Sequence, residues 1–235
     1  MVKDIHSLWK NEYWRSQGNK VCKKCRAERK QFGYFEDEKS PIFPGFNNEL
    51  KKKLDIFFVL ESLGKKEKDE EWPKTPENAV KDLREYYLEK KPPKTFHQYC
   101  IRQILEPFSS RSYIVSDVVK CFVIKKGKNF DIAAEKCSPF LEEQIFHYRP
   151  EIIVAIGRTA LRTISSFRDC ALHEEIENLK HGMAKEVHLK RGKGRKMRSI
   201  VLYCIFPGGW TADSWIEHDG HKPVVNKLEE LFARK

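Results

Sequence analysis

Three short apolar runs constrain the fold of this chain most strongly: LDIFFVL at 54–60, YIVSDVV at 113–119 and EIIVAIG at 151–157. Each has the length and the β-branched and aromatic content of a buried strand. Segments with helical spacing lie between and beside them, at about residues 76–90, 95–106 and 131–148. Strands that alternate with helices predict an α/β fold, in which helices cover both faces of a mostly parallel sheet.

The remaining segments complete one predicted domain of residues 1–235. A short helix is predicted at 4–16, within a cysteine-containing helical arm (1–30) that packs on the domain. RTALRTISSF continues the third run as a helix, and a closing helix is predicted at 221–234. Val187 and Leu189 are predicted to pair with residues 200–205 across the basic turn KRGKGRKMR.

In open parallel sheets, ligands bind beyond the carboxyl ends of the strands. The loops after Leu60, Val119, Ile156 and Ile205 therefore form the predicted functional edge. YIVSDVVKC carries an acid, Asp117, close to that edge and ends on a thiol. These two polar groups at the end of an apolar run are the main functional question that the sequence raises.

The net charge indicates the class of partner. Lys and Arg total 45 and Asp and Glu total 34, so the formal charge is 45 − 34 = +11. An excess of this size favours an anionic partner, and DNA or RNA is the first candidate. A merely soluble basic protein has the same composition, so charge alone does not decide between the two.

Other features of the sequence bear on location and redox state. No apolar run of about 18 residues is present, so no membrane span is predicted. The first residues, MVKDIHSLWKNEYWRS, are charged throughout and lack the apolar core of a signal peptide. We therefore expect a cytoplasmic monomer. In that compartment, seven cysteines indicate metal binding or burial rather than a disulfide framework.

The cysteines fall into two groups. Cys22 and Cys25 form a C-x2-C pair, and Cys121 and Cys137 flank a loop and the start of a helix. Four thiolates from two segments suit tetrahedral zinc or an iron–sulfur cluster, and spacing alone does not choose between them. The other three cysteines have apolar neighbours and are predicted core residues: Cys100, Cys170 and Cys204.

Several motifs together resemble the iron–sulfur members of the uracil-DNA glycosylase superfamily, often called family four. They are the C-x2-C pair at 22–25, DVVKC at 117–121, CSPFLEEQ at 137–144 and RPEIIVAIGRTA at 149–160. The resemblance runs from Cys22 to about Ser214. It implies a three-layer α/β/α fold with a central four-stranded, mostly parallel sheet. It also implies a structural [4Fe–4S] cluster on Cys22, Cys25, Cys121 and Cys137, with zinc as the alternative.

Two motifs depart from the family pattern. The first family motif is G-E-A-P-G with an acid two residues later, and here LESLG at 60–64 is followed by Glu67. Ser62, Gly64 and Glu67 are thus candidate base-binding residues, and Glu61 is a candidate catalytic acid or a solvated loop acid. The third family motif begins with a His that stabilises the departing base, and Phe206 occupies its place. His218 and His221 lie downstream, but the sequence does not connect them to the site.

Asp117 occupies the place of the family's uracil-reading Asn. An Asn amide offers one acceptor and one donor, which matches the N3–H and O4 of uracil. A carboxylate accepts from the N4 amino group of cytosine, and a protonated carboxyl also donates to N3. The change therefore predicts a cytosine-type base, with Asp117 both reading the base and taking part in catalysis. Phe96 is a candidate aromatic residue under that base.

Residues that contact DNA phosphates are also predicted from the resemblance and the charge. The loop after Cys121 and the basic turn hold most of them, and GGWTADSW occupies the place of the family's DNA-wedging loop. Trp210 either fills the gap left by the extruded base or is a core aromatic residue. The predicted DNA-binding residues are Lys125, Lys126, Lys128, Arg158, Lys193, Arg195, Gly208, Gly209 and Trp210.

The predicted function is hydrolysis of the N-glycosidic bond of a flipped-out base, which leaves an abasic site. Removal of ordinary cytosine would destroy the host genome, so a modified cytosine, as in phage DNA, is the predicted substrate. The alternatives are a uracil glycosylase for repair, an inactive DNA-binding module of the same fold, and a zinc-stabilised nucleotide-binding protein.

Overall fold

The computed structural model describes most of the chain from Leu54 onward and a few residues before it. The described residues are 24–25, 28, 45–47, 54–62, 76–89, 96–120, 128–167, 176, 178–191, 195–205, 212–217 and 219–234. The predicted helix at 4–16 lies outside them. No helix in these ranges is long and apolar enough to span a membrane.

Within the described residues, six strands form one mixed sheet in the order β1-β3-β2-β4-β6-β5. The central four strands are parallel to one another, and β1 and β5 pair antiparallel at the two edges. The predicted α/β class is confirmed, but the predicted count of four strands is wrong because two antiparallel edge strands extend the parallel core. The strands are β1 Phe46–Asn47, β2 Ile56–Ser62, β3 Tyr113–Val119, β4 Ile152–Ile156, β5 Ala184–Arg191 and β6 Arg195–Cys204.

The helices alternate with the parallel strands as the apolar spacing predicts. A π-helical turn (Glu85–Glu89) extends α1, and a 3-10 turn (Glu106–Phe108) follows α2. The third helix begins at Lys128, three residues before the predicted start. The helices are α1 Pro76–Arg84, α2 Phe96–Leu105, α3 Lys128–Tyr148, α4 Arg158–Ser165, α5 Ala212–Glu217 and α6 Lys222–Ala233.

The sheet separates two hydrophobic cores. Because side chains alternate along a strand, Phe57 and Val59 of β2 face one core and Phe58 and Leu60 face the other. Residues of α3 and α4 fill the core on the first face, and residues of α1, α2 and α6 fill the core on the second face. This is the predicted three-layer α/β/α arrangement.

The four parallel strands end at one edge of the sheet, as predicted for the functional edge. Leu60 of β2 is level with Asp117 of β3, and Ala155 of β4 is level with Tyr203 of β6. The backbone N–H of Gly157 donates to the carbonyl of Cys204 (2.8 Å), which joins the ends of β4 and β6. We call this side the carboxyl edge.

The β5–β6 hairpin (residues 184–204) extends beyond the opposite, amino edge. β6 pairs with β4 only from Ile200 onward, and residues 195–199 pair with β5 alone. Arg191 and Arg195 are register partners, so only residues 192–194 connect the strands. The predicted turn KRGKGRKMR was too long because residues 190–191 and 195–198 continue the two strands. The predicted pairing of Val187 and Leu189 with residues 200–205 is wrong, because their register partners are Ser199 and Met197.

Candidate active site

Asp117 is a buried acid near the carboxyl edge, with only 3% of its surface exposed. It is level with Leu60 and follows Val115 by two residues, so it belongs to the second face of the sheet. Its Oδ1 has no hydrogen-bond partner in the described part of the chain. Burial raises the pKa of the carboxyl to about 7, against a smaller lowering effect of the Lys120 ammonium. Asp117 is therefore a buried acid that can donate or accept near neutral pH.

An aromatic cluster on the second face is centred on Tyr87, which interacts electrostatically with Asp117. Tyr87, in the π-helical turn, stacks on Phe46 of β1 with ring centroids 5.6 Å apart. His97 of α2 meets the same tyrosine edge-on at 5.8 Å. The pKa of Tyr87 is raised well above its usual value, first by burial and then by the negative charge of Asp117. Tyr87 is thus the aromatic residue that interacts with the acid, and Phe46 and His97 pack against Tyr87.

Sequence reasoning proposed Phe96 as the aromatic residue of the site and missed Phe46 and Tyr87. Phe96 is half-buried at the start of α2 and packs against the second-face core. Gly45 is the sequence feature that could have indicated the position of Phe46. Its φ of 104° favours glycine, and a Cβ at this position would overlap the carbonyl oxygen of Val115. Glycine therefore allows the backbone before Phe46 to lie directly against β3.

Lys120 forms a second buried polar group, on the first face of the sheet. Its ammonium donates to Ser116 Oγ (2.5 Å) and to Gln144 Oε1 (2.7 Å), which joins β3 to α3. Burial lowers its pKa to about 8, against the raising effects of Asp117 and Cys137. The motifs DVVKC and CSPFLEEQ contain both Lys120 and Gln144, but neither was nominated from the sequence.

Glu61 is also buried, but its side chain lies on the opposite face of the sheet from Asp117. Its Oε1 accepts a hydrogen bond from the backbone N–H of Thr159 (3.2 Å) in the first turn of α4. It is level with Val118, whose side chain belongs to the first-face core. The two predicted catalytic acids therefore sit at adjacent levels of neighbouring strands but on opposite faces.

Gly157 lies against the Glu61 carboxylate with no space for a Cβ atom, which gives a testable expectation. Its φ is 98°, and a Cβ there would lie 2.5 Å from Glu61 Oε1. We expect Gly157→Ala to lower the free energy of unfolding by about 1–3 kcal/mol from backbone strain, with a further loss from the overlap. Chemical denaturation of the single variant measures this loss.

A double variant separates the two causes. Glu61→Ala removes the overlapping carboxylate, so Gly157→Ala should cost less in that background than in the wild type. Additive losses would mean that Gly157 does not constrain Glu61.

The raised pKa of Asp117 predicts that stability depends on pH. The folded chain holds this proton up to about pH 7, whereas an unperturbed Asp loses it near pH 3.8. The contribution of the neutral acid is therefore complete below about pH 4 and is lost as the pH rises to about 7. Relative to Asp117→Asn, we expect the free energy of unfolding of the wild type to fall by on the order of 4 kcal/mol between pH 4 and 8. Urea unfolding across this range is the measurement.

The exposed acid Asp219 provides the control. Its pKa is lowered by a hydrogen bond from Lys222, so Asp219→Asn should give the opposite trend, a loss relative to the wild type that shrinks as the pH falls. A pH-independent difference between wild type and Asp117→Asn would show that the buried carboxyl stays in one ionisation state.

Phe206, at the position of the family's motif histidine, lies outside the described residues, as does His218.

His181, which was not predicted from the sequence, contacts the residue that follows β6. Its Nδ1 accepts from the Ile205 N–H (3.1 Å), so its Nε2 carries the proton and donates to the Gly220 carbonyl (2.8 Å). Burial lowers its pKa. Both ring nitrogens are engaged, so His181 supports the edge of the sheet. His221 is half-buried at the start of α6, and burial lowers its pKa.

Two of the four predicted cluster cysteines are described, and both are buried: Cys25 (4% exposed) and Cys137 (6%). Their segments are in contact, because Lys136 of α3 forms an ion pair with Glu28 (3.2 Å). Cys137 in turn acts electrostatically on Lys120, the residue before Cys121. Buried thiols on packed segments suit a thiolate-held metal group. Cys22 and Cys121 lie outside the described residues, within which no group of three candidate metal ligands occurs.

Two of the three cysteines predicted as core residues are fully buried. Cys100 and Cys204 both belong to the second-face core, and burial raises their thiol pKa values. Cys170 lies outside the described residues.

The predicted DNA-binding residues fall at different places. Arg158 is exposed at the carboxyl edge, where its guanidinium lies 4.7 Å from the Tyr203 ring centroid. Lys128 begins α3, and Arg195 begins β6 at the far end of the hairpin. Trp215, which was not predicted, is buried and donates to Gln103 Oε1 (3.4 Å). Ser62 is described only as the last residue of β2. The other predicted positions lie outside the described residues; they are Gly64, Glu67, Lys125, Lys126, Lys193, Gly208, Gly209 and Trp210.

Comparison with known proteins agrees with this geometry. The family model of the uracil DNA glycosylase superfamily matches residues 75–207, which is more than half of the chain. The chain therefore belongs to the uracil DNA glycosylase superfamily, whose members are DNA glycosylases. The match includes Asp117 and Cys137 but begins after Glu61. A search of curated proteins found no match.

Proposed function

We propose that this protein is a DNA glycosylase that removes a modified cytosine rather than uracil. The observation that carries the proposal is Asp117, a buried acid of β3 whose Oδ1 has no hydrogen-bond partner among the described residues. An unpaired buried polar atom costs roughly 1–3 kcal/mol, so a ligand that pairs with it gains correspondingly. Superfamily membership supplies the reaction class, and Asp117 is the residue that admits a cytosine-type base.

The recognition step follows from the two ionisation states of Asp117. Near pH 7 the carboxyl is populated in both forms, because its pKa is about 7. The neutral form donates its O–H to cytosine N3 and accepts from the N4 amino group with its other oxygen. Uracil presents a donor at N3 and an acceptor at O4, and the neutral form can pair with these as well when its proton is on the other oxygen, whereas the ionised form leaves one group of either base unpaired. Unlike an amide held in the orientation that matches uracil, the acid therefore admits cytosine-type bases.

The bond-breaking step needs stabilisation of both products. The sugar develops positive charge and the leaving base gains electrons. A neutral Asp117 that donates to N3 places a proton where that charge accumulates. Glu61 is proposed as a positioning residue, since its carboxylate accepts from Thr159 in the first turn of α4 and lies on the other face of the sheet.

A modified base is proposed because excision of ordinary cytosine would be lethal. The LESLG segment lacks the first Gly and the Pro of the family motif, and its first three residues end β2, where Leu60 is level with Asp117. A changed loop there can accommodate a bulky 5-substituent, such as the glucosylated hydroxymethyl group of phage cytosine. We therefore propose antiviral defence as the biological role, in a cytoplasmic protein.

We also propose that Cys22, Cys25, Cys121 and Cys137 hold a [4Fe–4S] cluster, with zinc as the alternative. The burial of Cys25 and Cys137 and the ion pair between their segments support this assignment. When bound, such a group cross-links the arm, the end of β3 and α3. Polar contacts of Lys136 with Glu28 and of Lys120 with Gln144 join the same segments.

Base release identified by mass spectrometry tests the function. The protein would be incubated with unmodified DNA, uracil-containing duplex and DNA with 5-substituted cytosines. We expect release from the 5-substituted cytosine DNA alone, with abasic sites left behind. Release of uracil alone would indicate a repair enzyme, and release from no DNA would indicate an inactive binding module.

A further inference from the structure

The β5–β6 hairpin has a dense positive charge that the base site does not use. It contains seven Lys and Arg residues and one acid, Glu186. The basic residues are Lys185, Lys190, Arg191, Lys193, Arg195, Lys196 and Arg198. The sequence associates this charge with DNA beside the extruded base, but the sheet topology separates the two regions.

The hairpin extends from the amino edge, away from Asp117. Ser199 Oγ donates to the carbonyls of Pro150 and Glu151, just before β4 begins, and four further residues of β6 precede it. Cys204 lies at the carboxyl edge, nine steps along the strand from Arg195. At about 3.3 Å per residue, the distal end of the hairpin is about 30 Å from the level of the base site.

The two faces of the hairpin differ in character. Val187, Leu189 and Met197 on one face are buried in the first-face core, so the hairpin is anchored to the domain. On the other face His188 and Arg198 are register partners, and their side chains are 71% and 70% exposed. Two positions further along the ladder, Lys190 and Lys196 are also register partners. Glu186 pairs with Arg198 at the base of this strip.

From this arrangement we infer that the exposed face of the β5–β6 hairpin is a second, sequence-independent binding surface for duplex DNA. Successive positions on one strand face are about 6.7 Å apart, close to two base-pair steps of about 3.4 Å. A regular row of basic positions at this spacing matches a regular polyanion better than it matches a single anionic group. Such contacts neutralise phosphates and read no bases.

The second surface must bind a different duplex segment from the one at the carboxyl edge. DNA is stiff, with a persistence length of about 50 nm, so a short duplex that crosses the carboxyl edge cannot also bend to the amino edge. The surface therefore tethers the protein to a neighbouring stretch of DNA. This property is independent of base excision, and its test needs no enzymatic activity.

The test compares two triple variants that each remove three positive charges. The hairpin variant is Lys190→Gln, Lys196→Gln and Arg198→Gln. The control is Lys222→Gln, Lys227→Gln and Arg234→Gln, on or next to α6. Binding of an undamaged duplex of about 12 base pairs (roughly 41 Å at about 3.4 Å per step) is measured by fluorescence anisotropy over a range of salt concentrations.

We expect the hairpin variant to reduce the slope of log affinity against log salt by about 2.7, since each lost phosphate contact contributes about 0.9. The control should keep the wild-type slope. Sedimentation should detect two short duplexes per wild-type chain and one per hairpin variant. Arg198→Gln alone should reduce the slope by about 0.9.

Equal slopes for the two triple variants would overturn the inference. Unchanged DNA binding with self-association of the hairpin variant would also overturn it. In that case the charges would protect the exposed edge of β5 from pairing with other chains.

Discussion

Asp117→Asn should convert the protein toward uracil. The amide, held with its oxygen at N3 and its NH2 at O4, matches uracil and mismatches both groups of cytosine. With roughly 1–3 kcal/mol per mismatched buried group, release of the modified cytosine should fall by at least about 5- to 150-fold, whereas uracil release should be retained or rise. Base release from matched uracil and 5-substituted cytosine duplexes measures both changes in one assay.

Two further variants test whether this result depends on recognition of the base by Asp117. Asp117→Ala removes donor and acceptor together and should lower release of both bases. Phe96→Ala alters the aromatic residue nominated from the sequence, which packs against the second-face core, and should not exchange one base for the other. An Asn variant that still prefers the modified cytosine would remove Asp117 as the residue that sets specificity.

Cys137→Ala should abolish the brown colour and the absorbance near about 400 nm that a [4Fe–4S] cluster gives. Binding energy for a structural metal group is also folding energy, so the melting temperature should fall by about 10 °C or more. Cys100→Ala is the matched control, since this thiol is equally buried but belongs to the second-face core. It should retain iron and lose only about 2–4 °C, the cost of a small cavity.

Metal analysis of the same samples separates the two proposed groups. Zinc without iron in the wild type would support the zinc alternative. Equal metal content in wild type and Cys137→Ala would contradict the proposed ligand set.

The sequence predicts the sheet core and the helices well because both follow hydrophobic periodicity. The runs at 54–60, 113–119 and 151–157 became β2, β3 and β4 within two residues at each end. β1 has two residues, too few for any periodicity, and its pairing with β3 depends on the close approach of Gly45. The predicted hairpin turn was too long because exposed strand positions tolerate the same basic residues that a turn does.

The candidate site was less predictable, because side-chain contacts across the sheet are not local in sequence. Asp117 stood out as an acid within an apolar run. Tyr87, Phe46 and His97 come from three elements and carry no shared motif. Glu61 and Asp117 lie on opposite faces of the sheet because of the strand register, and the sequence motifs that contain them do not reveal that register. The contact between Lys120 and Gln144 likewise joins residues of two motifs that spacing alone leaves apart.

The central sheet places the described candidate cluster cysteines and the proposed base-reading acid in different layers. Cys25 and the Lys120 contacts, on which Cys137 acts electrostatically, belong to the first face, whereas Asp117 interacts with Tyr87 on the second. The side chains that contact Lys120 and the aromatic cluster around Tyr87 are therefore different residues. If Asp117 sets the target base as proposed, substitutions around Tyr87 can retune that choice while the polar contacts of Lys120 with Ser116 and Gln144 are kept.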